Sequence, residues 1–436
     1  MNLHSSPYEA YRPSKNEWVD QTPSEWEEKR VKDLFRLVTD KAADDNDHEL
    51  LSLYASIGVR PRKDLEARGN KASSTDGYWI VKQGDIIVNK LLAWMGSVGL
   101  SEYDGVTSPA YDVLRKTSKL VDARYFSYLF RTEIAKQIFK RNSRGIMDMR
   151  LRLYFDKLGA ITVPVPPFST QQAIATYIDT KTAQIDRQID LLGQKVKKYG
   201  ELKQTLIVDT VTRGLDKTVP MRDSGVELIG DVPEHWKIKR FKEIFNKTHS
   251  GWTPDTGKRE SFEGENIWVT IRDMDGGIHI SSSESKLSDK AIADAGISIT
   301  PKGSLLFSFK LSIGKIAFAG CDLYTNEAII SIENEPKVDL NYFFHTLPIF
   351  LVLNAKENIY GAKLLNQGII FNTHLLYPPR DEQAAIALYL DDKIGHIDRV
   401  VDTINSQIDK LKDLRKALIN DVVTGKIKVV SEGLTV

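Results

Sequence analysis

Two long segments of the chain carry an apolar residue at every seventh position. The first stripe is Ile178, Ile185, Leu192, Tyr199 and Leu206, and the second is Leu390, Ile397, Ile404, Leu411 and Leu418. A sustained seven-residue apolar repeat predicts a helix that supercoils around a partner helix. Each helix of about 40 residues would be about 60 Å long. Two mutually paired helices are the main prediction, and surface helices that each dock on their own domain are the alternative.

The two segments are copies of one another. The first begins QQAIATYID at Gln171 and the second QAAIALYLD at Gln383, and they align without a gap at an offset of about 212 residues. About 18 of about 42 aligned positions are identical, which marks an internal repeat. A shorter match links PSEWEEKRVKDLF, from Pro23, to PEHWKIKRFKEIF, from Pro233. The chain is therefore predicted to be a tandem duplication whose helices pair antiparallel about a pseudo-two-fold axis.

Each helix follows a globular segment with the signals of mixed α/β structure. Strands are predicted after Gly84 and Gly303 and over Ile297–Thr300, where β-branched and aromatic residues are frequent. Amphipathic helices are predicted over Ala123–Arg141 and Leu340–Asn354. The predicted fold class is α/β (α+β), with domains at 1–170 and 215–380, a helix at 171–214, and a second helix with a tail at 381–436.

Composition narrows the class of protein further. A chain of 436 residues is long enough for two or three domains. Its one cysteine, Cys321, excludes an internal disulfide framework and indicates a reducing cytoplasm. The longest strongly apolar run, Phe343 to Leu353, is too short to span a bilayer, and no secretory signal is apparent. The net charge of +1 means that any DNA binding must come from local patches.

Motifs that would carry catalysis are incomplete. Val165 to Phe168 resembles the loop that holds the target base in amino-methyltransferases, but valine replaces the amide or carboxylate. Gly251 to Lys258 imitates a phosphate-binding loop with wrong spacing. Asp255, Glu284 and Lys286 formally fit a metal-dependent nuclease, although the last two lie in a polar, loop-like stretch. No catalytic constellation or metal site is predicted.

Basic and aromatic residues in loop-like contexts are the candidates for DNA contact. Such residues among Gly, Ser, Thr and Asn suit phosphate anchoring and hydrogen bonds to base edges, although each one alone could be a solvated surface charge. The candidates are Arg60, Arg62, Lys63, Arg68, Lys90, Trp94, Arg144, Trp252, Lys258, Arg259, Arg272, Lys310 and Lys363.

With these features, the chain resembles the DNA-specificity subunits of type I restriction–modification enzymes. The resemblance is carried by the Pro-x-x-Trp motifs, SGVELIGDVPEHW, the GDIIVNKLLAWMG segment, SGWTP with IWVTIRDM, and the proline exits that lead into both helices. It spans nearly the whole chain. It departs from the family pattern at Trp252, where a second glycine is common. The resemblance implies two target-recognition domains, each for one half of a split DNA site, separated by the two helices.

The resemblance also implies the partners and cofactors. They are double-stranded DNA, modification (methyltransferase) subunits, expected to be two, and restriction (translocase/nuclease) subunits, with no membrane. S-adenosylmethionine, ATP and magnesium are expected on the partner subunits and no cofactor on this non-catalytic chain. The repeated stretches would dock the modification subunits through the candidates Tyr177, Asp186, Arg187, Tyr389, Asp398 and Arg399. The alternatives are a coiled-coil adaptor that binds no DNA and an autonomous nuclease.

Overall fold

The computed structural model describes residues 7–54, 58–64, 75–145, 151–227, 229–255, 257–275, 277–357 and 363–429. The chain forms two compact units, each of which is described by itself. The first unit consists of residues 1–193 and 405–436, and the second of residues 194–404. Each unit therefore contains one globular module and one part of each long helix.

The first module is mostly strand with short helices. Its strands are β1 (Tyr11–Pro13), β2 (Gln21–Pro23), β3 (Glu27–Arg30), β4 (Phe35–Leu37), β5 (Leu51–Tyr54), β6 (Gly58–Pro61), β7 (Trp79–Val81), β8 (Ile86–Asn89), β9 (Val98–Leu100), β10 (Gly105–Thr107), β11 (Tyr111–Lys116) and β12 (Thr162–Val165). Its helices are α1 (Val31–Leu34), α2 (Ala123–Leu129), α3 (Glu133–Asn142) and α4 (Phe155–Leu158). The long helix α5 (Phe168–Arg213) follows.

The second module has the same mixture of elements. Its strands are β13 (Met221–Asp223), β14 (Asp231–Pro233), β15 (Lys237–Arg240), β16 (Thr248–Ser250), β17 (Asn266–Val269), β18 (His279–Ile280), β19 (Lys286–Leu287), β20 (Leu305–Ser308), β21 (Ile316–Ala319), β22 (Tyr324–Thr325), β23 (Ile329–Ile332), β24 (Lys356–Glu357), β25 (Lys363–Leu364) and β26 (His374–Tyr377). Its helices are α6 (Phe241–Ile244), α7 (Asp289–Ala295), α8 (Leu340–Leu353) and α9 (Gln367–Asn372), and the long helix α10 (Arg380–Val423) follows.

The two modules share a sheet that the sequence comparison does not reveal. The first has strand order β4-β11-β8-β9, and the second has β16-β23-β20-β21 with β18 added beside β21. Outside this sheet, β1 pairs with β2 and β3 with β12 in the first module, as β13 pairs with β14 and β15 with β26 in the second. The duplication thus extends through the globular parts, where the sequences have diverged.

The predicted long helices are confirmed, and they pack antiparallel. In the first unit, Ile178 near the start of α5 shares a core with Leu418 and Val422 near the end of α10. In the second unit, Val211 near the end of α5 shares a core with Ile386 near the start of α10. Burial of apolar side chains at about 25 cal/mol per Å² is the dominant favourable term here. Each module is therefore fastened to both helices.

Equivalent ion pairs set the register of the helices in each unit. Asp186 Oδ1 lies 3.1 Å from Arg415 Nε in the first unit, and Lys203 Nζ lies 2.7 Å from Asp398 Oδ1 in the second. The offset of the repeat, about 212 residues, relates Asp186 to Asp398 and Lys203 to Arg415. Surface pairs contribute about 0–1 kcal/mol each. The main effect of these ion pairs is therefore to specify the antiparallel register of the two helices, in the same way in each unit.

A buried glutamine at the start of each helix explains the repeated Gln at the head of the motif. The Gln171 side chain accepts from Asp122 N at 2.9 Å and donates to Pro166 O at 2.8 Å. Gln383 accepts from Asp339 N at 3.0 Å and donates to Pro378 O at 2.9 Å. These bonds satisfy buried backbone groups that would otherwise cost about 1–3 kcal/mol each.

The end of each long helix meets the tryptophan of a Pro-x-x-Trp motif. Gly425 follows α10 with φ of +77°, and a Cβ there would lie 3.0 Å from the Trp26 ring. Gly214 follows α5 with φ of +71°, and a Cβ there would lie 3.2 Å from the Trp236 ring. Glycine satisfies both requirements, because it accepts a left-handed backbone and has no side chain. The Pro-x-x-Trp motif is therefore part of the frame.

Two local predictions were wrong. The helix predicted over Ala123–Arg141 is broken into α2 and α3, because the Thr132 hydroxyl donates to Leu129 O at 2.8 Å and accepts from Ala135 N at 3.2 Å, which caps a new helix. The strand predicted over Ile297–Thr300 is absent, and only Thr300 forms a bridge, to Leu323. Gly296 ends α7 in a left-handed conformation just before it.

The two repeats differ at a titratable contact between the module and the long helix α5 or α10 of each unit. His345 Nε2 lies 2.8 Å from Asp391 in the second unit, and the Tyr128 hydroxyl donates to Asp179, the repeat equivalent of Asp391, in the first. Burial lowers the pKa of His345 below its ordinary value of 6.5, against the opposing effect of Asp391. Burial raises the pKa of Tyr128 well above its usual range.

We therefore expect the stability of the second unit to fall as the medium becomes acidic. Below about pH 6.5 the unfolded chain protonates His345 more readily than the folded chain does, so stability is retained above that pH and lost as pH falls towards the lower folded pKa. In His345→Gln, the urea midpoint should fall less between about pH 7.5 and pH 5.5. The exposed His396→Gln is the control. An equally steep fall in both variants would contradict the assignment.

Candidate nucleic-acid interface

In the second unit, one end of the sheet collects several loops. The registers Ser250↔Ile330, Ser308↔Ile329 and Phe307↔Ile316 place the ends of β16 and β20 beside the beginnings of β23 and β21. The loops at residues 251–254, 309–315 and 326–328 therefore emerge together. We call this edge the loop end of the sheet. Loops that emerge together from a rigid scaffold are the usual carriers of binding function.

The first unit has an equivalent loop end. The registers Tyr111↔Asn89 and Val88↔Val98 place the end of β8 beside the beginnings of β11 and β9. The loops at residues 90–97 and 108–110 emerge there. Both modules thus present an equivalent hairpin loop on an equivalent sheet, although the loop sequences differ.

At the loop end of the second unit, the SGWTP segment is held close to the sheet. Trp252 N donates to Thr325 O at 2.9 Å, and the Trp252 carbonyl accepts from Trp268 Nε1 at 3.0 Å. A Cβ at Gly251 would lie 1.7 Å from Thr325 O, so this position admits only glycine. Thr253 also donates to Glu327. The loop keeps a fixed conformation despite Trp252, which is half-buried and bound through its backbone.

Several predicted cations of the second unit are exposed around this end. Lys310 lies in the loop after β20. Arg272 follows β17, next to Ile271, whose carbonyl accepts from Lys315 at 3.3 Å. Gln367 Nε2, in α9, donates to Ser250 Oγ at 2.5 Å, which brings the segment after β25 to the same end. The other exposed candidates in this module are Lys258, Arg259 and Lys363.

In the first unit, Lys90 and Trp94 lie in the hairpin loop. Lys90 Nζ donates to Pro109 O at 2.8 Å and lies 3.3 Å from Asp112. Burial raises the pKa of the Asp112 carboxyl, and Lys90 partly offsets this. Trp94 is half-buried, its Nε1 donates to Leu91 O at 3.0 Å, and Lys140 Nζ lies 5.2 Å from its ring. Lys90 therefore fixes the loop.

The Arg60 to Lys63 cluster lies among carboxylates. Arg60 is 3.6 Å from Glu102, and Lys63 is 2.5 Å from Glu49. The hydrogen bond to Glu49 raises the pKa of Lys63. Nearby Asp64 and Asp104 line the same depression. Arg62 lies in the adjacent turn, Arg144 pairs with Asp156 at 3.0 Å, and Arg68 lies outside the described residues.

The sequence reasoning missed the apolar side chains of the hairpin loops. Leu91, Leu92 and Met95 are exposed in the first unit, and Leu311 is exposed in the second. The candidates were chosen for charge or aromatic rings, so these side chains were left out. In GDIIVNKLLAWMG and GSLLFSFKLSIG, however, Leu92 and Leu311 stand at the same distance after the first glycine, which makes them equivalent.

The predicted docking residues lie along both long helices in equivalent settings. Lys181 Nζ lies 5.8 Å from the Tyr177 ring, and Lys393 Nζ lies 5.7 Å from the Tyr389 ring. Arg187 and Arg399 are exposed. Asp186 and Asp398 form the ion pairs between the helices.

The proposed nuclease triad is not assembled by the observed contacts. Lys286 pairs with Glu265, and Asp255 accepts from Gly257 N at 3.0 Å. Glu284 is exposed just before β19. Across the part of the chain that the structure describes, no three His, Cys, Asp or Glu side chains are grouped to hold a metal ion. Within the same residues, no helix is long and apolar enough to cross a membrane.

Comparison with known proteins identifies the family. The profile of the type I restriction–modification DNA specificity domain matches the chain twice, at residues 23–195 and 233–410. The chain belongs to this family. Each match begins at a Pro-x-x-Trp motif and extends into a long helix, so one copy of the specificity domain coincides with one repeat of the duplication.

Individual relatives support the same assignment along the chain. The MjaVIII specificity subunit of Methanocaldococcus jannaschii is 20% identical over 430 residues, which is 94% of each chain. The MjaIX specificity subunit of the same organism is 29% identical over 174 residues, covering 38% of this chain and 40% of that one. The EcoBI specificity subunit of Escherichia coli is 20% identical over 370 residues, covering 81% of this chain and 75% of that one. They do not favour the adaptor or nuclease alternatives.

Solved structures show the same fold. A chain from a study of complex assembly and conformational transition in a type I R-M system matches with a TM-score of 0.71 at 15% identity, covering 93% of this chain and 99% of that one. The HsdS subunit of Thermoanaerobacter tengcongensis matches with a TM-score of 0.56 at 15% identity, covering 93% and 98%. The predicted architecture of two mixed modules and two long helices is confirmed.

Proposed function

We propose that each module of this specificity subunit binds one half of a bipartite DNA site through the loop end of its sheet. The observation that carries this proposal is the contrast between the two repeats. Their sheets, buried glutamines, ion pairs and helix ends are equivalent, whereas the loops at the loop ends differ in sequence. Two similar scaffolds with different loops suit the recognition of two different base sequences.

Methyl transfer and cleavage are proposed to be carried out by separate modification and restriction subunits. Those subunits would hold S-adenosylmethionine, ATP and magnesium, and this chain would act without catalysis. The incomplete catalytic motifs of the sequence support this division. The family membership supports it as well, because the chain matches the DNA specificity domain along most of its length.

The first test exchanges most of the first module, including its loop end. Residues 36–161 of the first module, from β4 to the residue before β12, would be replaced by the corresponding segment of a relative. We expect only one half of the methylated motif to change, because the second sheet and its loops are untouched. Long-read methylation mapping with the reconstituted complex measures this. A change in both halves would contradict independent recognition.

The second test concerns phosphate contacts. Arg272→Ala and Lys310→Ala should each reduce the steepness of log K for DNA binding against log salt by about 0.9. A variant that makes one phosphate contact fewer releases fewer counterions when it binds duplex DNA. Lys63→Ala, which removes a lysine paired with Glu49, should leave the slope unchanged. Fluorescence titration at several salt concentrations provides the measurement. Equal slopes in all three variants would exclude Arg272 and Lys310 as phosphate contacts.

The third test concerns the partner subunits. The stretches around Tyr177–Arg187 and Tyr389–Arg399 are proposed to dock one modification subunit each. Arg187→Glu should therefore reduce the number of bound subunits from two to one, and combining it with Arg399→Glu should abolish binding. Mass photometry measures the stoichiometry. Lys195→Glu, at an exposed residue of α5 outside the Tyr177–Arg187 stretch, is the control. Two bound subunits in the double variant would overturn the assignment.

A further inference from the structure

The hairpin loops at the two loop ends each carry an exposed leucine at an equivalent position. Leu311 follows β20 and is 93% exposed, and Leu92 follows β8 and is 44% exposed. Leu311 is the third residue after Ser308, which ends β20, and Leu92 is the third residue after Asn89, which ends β8. Neither leucine belongs to a hydrophobic core.

The second hairpin loop is held by its own hydrogen bonds. Ser308 Oγ donates to Ser312 O at 2.6 Å and accepts from Lys315 N at 2.9 Å. Gly314 N donates to Ser308 O at 3.0 Å. These bonds bracket Leu311 on both sides. The loop therefore presents the leucine in a defined position.

The backbone at Leu311 is unfavourable for its side chain. Its φ is +59°, in the left-handed region that glycine adopts without strain and bulky residues adopt rarely. Exposure adds an apolar surface with no partner in the fold. Glycine would suit both the backbone and the solvent better. A leucine that is both strained and exposed in the free protein suits a role in which its side chain is buried by a bound partner.

The first hairpin loop presents its leucine with a different but equally fixed network. Asn89 Oδ1 accepts from Leu91 N at 3.0 Å, and Ser97 N donates to Leu92 O at 3.1 Å. Met95 is exposed beside Leu91 and Leu92. Both loops therefore bring an exposed apolar side chain to the loop end of a sheet, which has four strands in the first unit and five in the second.

The surroundings favour DNA as the occupant of these tips. Lys310 precedes Leu311 directly, and Lys140 lies over Trp94 in the first loop. Lysines beside a small apolar loop tip would attract a polyanion such as DNA, while the tip itself contacts an apolar group. A stable protein interface needs about 800 Å² on each partner, more than one or two leucines between lysines present. The major groove, about 12 Å wide, can receive a hairpin loop, and its apolar feature is the 5-methyl group of thymine.

We propose that the two hairpin tips enter the major groove and that Leu311 and Leu92 each contact a thymine methyl group in their half-site. This inference rests on the proposed function, because it names a specificity contact within it. The contact selects a T·A pair at one position without a hydrogen bond. Lys310 would bind the neighbouring phosphate.

Deoxyuridine substitution tests the proposal with the full chain in the reconstituted methyltransferase. Uracil removes only the 5-methyl group and keeps the base pair. Replacing one thymine in the half-site of the second module should weaken wild-type binding about fourfold, the change that corresponds to one buried methyl group at ~0.8 kcal/mol. In Leu311→Gly, thymine and uracil should bind equally at that position. Because glycine suits φ of +59°, this variant should keep or raise the melting temperature.

Matched variants separate the tip from a general effect of apolar surface. Ile299→Ala removes an exposed side chain, 45% accessible, before β20 at the opposite end of the same sheet, and should keep the discrimination. Leu92→Ala should lose discrimination in the other half-site only, whereas Leu120→Ala, after β11 and 69% exposed, should keep it.

Three results would overturn the inference. The wild type could bind equally well with uracil at every thymine position, or the half-sites could contain no thymine. Leu311→Gly could also fail to assemble with the partner subunits, which would make the tip a protein contact. Failure of the proposed function is distinguishable, because the wild-type complex would then select no bipartite sequence at all.

Discussion

Closure of the first unit depends on a hydrogen bond between residues 298 positions apart, which the Tyr125 hydroxyl donates to Val423 O at 2.9 Å. Around it, Leu418, Val422 and Val423 of α10 complete a core whose other buried members precede Gly193. This unit cannot be assembled from one continuous stretch of chain. Such long-range contacts incur loop-closure entropy before they contribute stability. The antiparallel helices satisfy the constraint by returning the chain to its starting module.

The same constraint explains why the frame is repeated and the loops are not. The buried glutamines, the register-setting ion pairs and the glycines against Trp26 and Trp236 each depend on a partner elsewhere in the fold, so a change in one requires a change in the other. The loops at the loop ends are held by bonds within their own module, such as those of Ser308 and of Trp252. They can differ between modules without disturbing the helices.

Much of the frame could be predicted from the sequence, because the seven-residue stripes and the repeat report directly on packing. The break between α2 and α3 could not be predicted. The Thr132 hydroxyl caps a new helix there, whereas the amphipathic pattern continues without interruption. The shared sheet was hidden because buried strands tolerate exchange among Val, Ile, Leu and Phe. Which of the basic residues are available to contact DNA was harder still to predict. Lys63 and Lys310 look alike in sequence, and only the fold shows that Glu49 accompanies the first.

The contact between Gly425 and Trp26 has a practical consequence for handling this molecule. The last turn of α10 is a structural part of the first module, since the Tyr11 hydroxyl also donates to Gly425 O at 3.1 Å. Cleavage of the chain before Gly425, or a tag inserted close to this glycine, would therefore act on the first module, about 400 residues earlier in the chain. Damage at the end of α10 would appear as a defect of the first module.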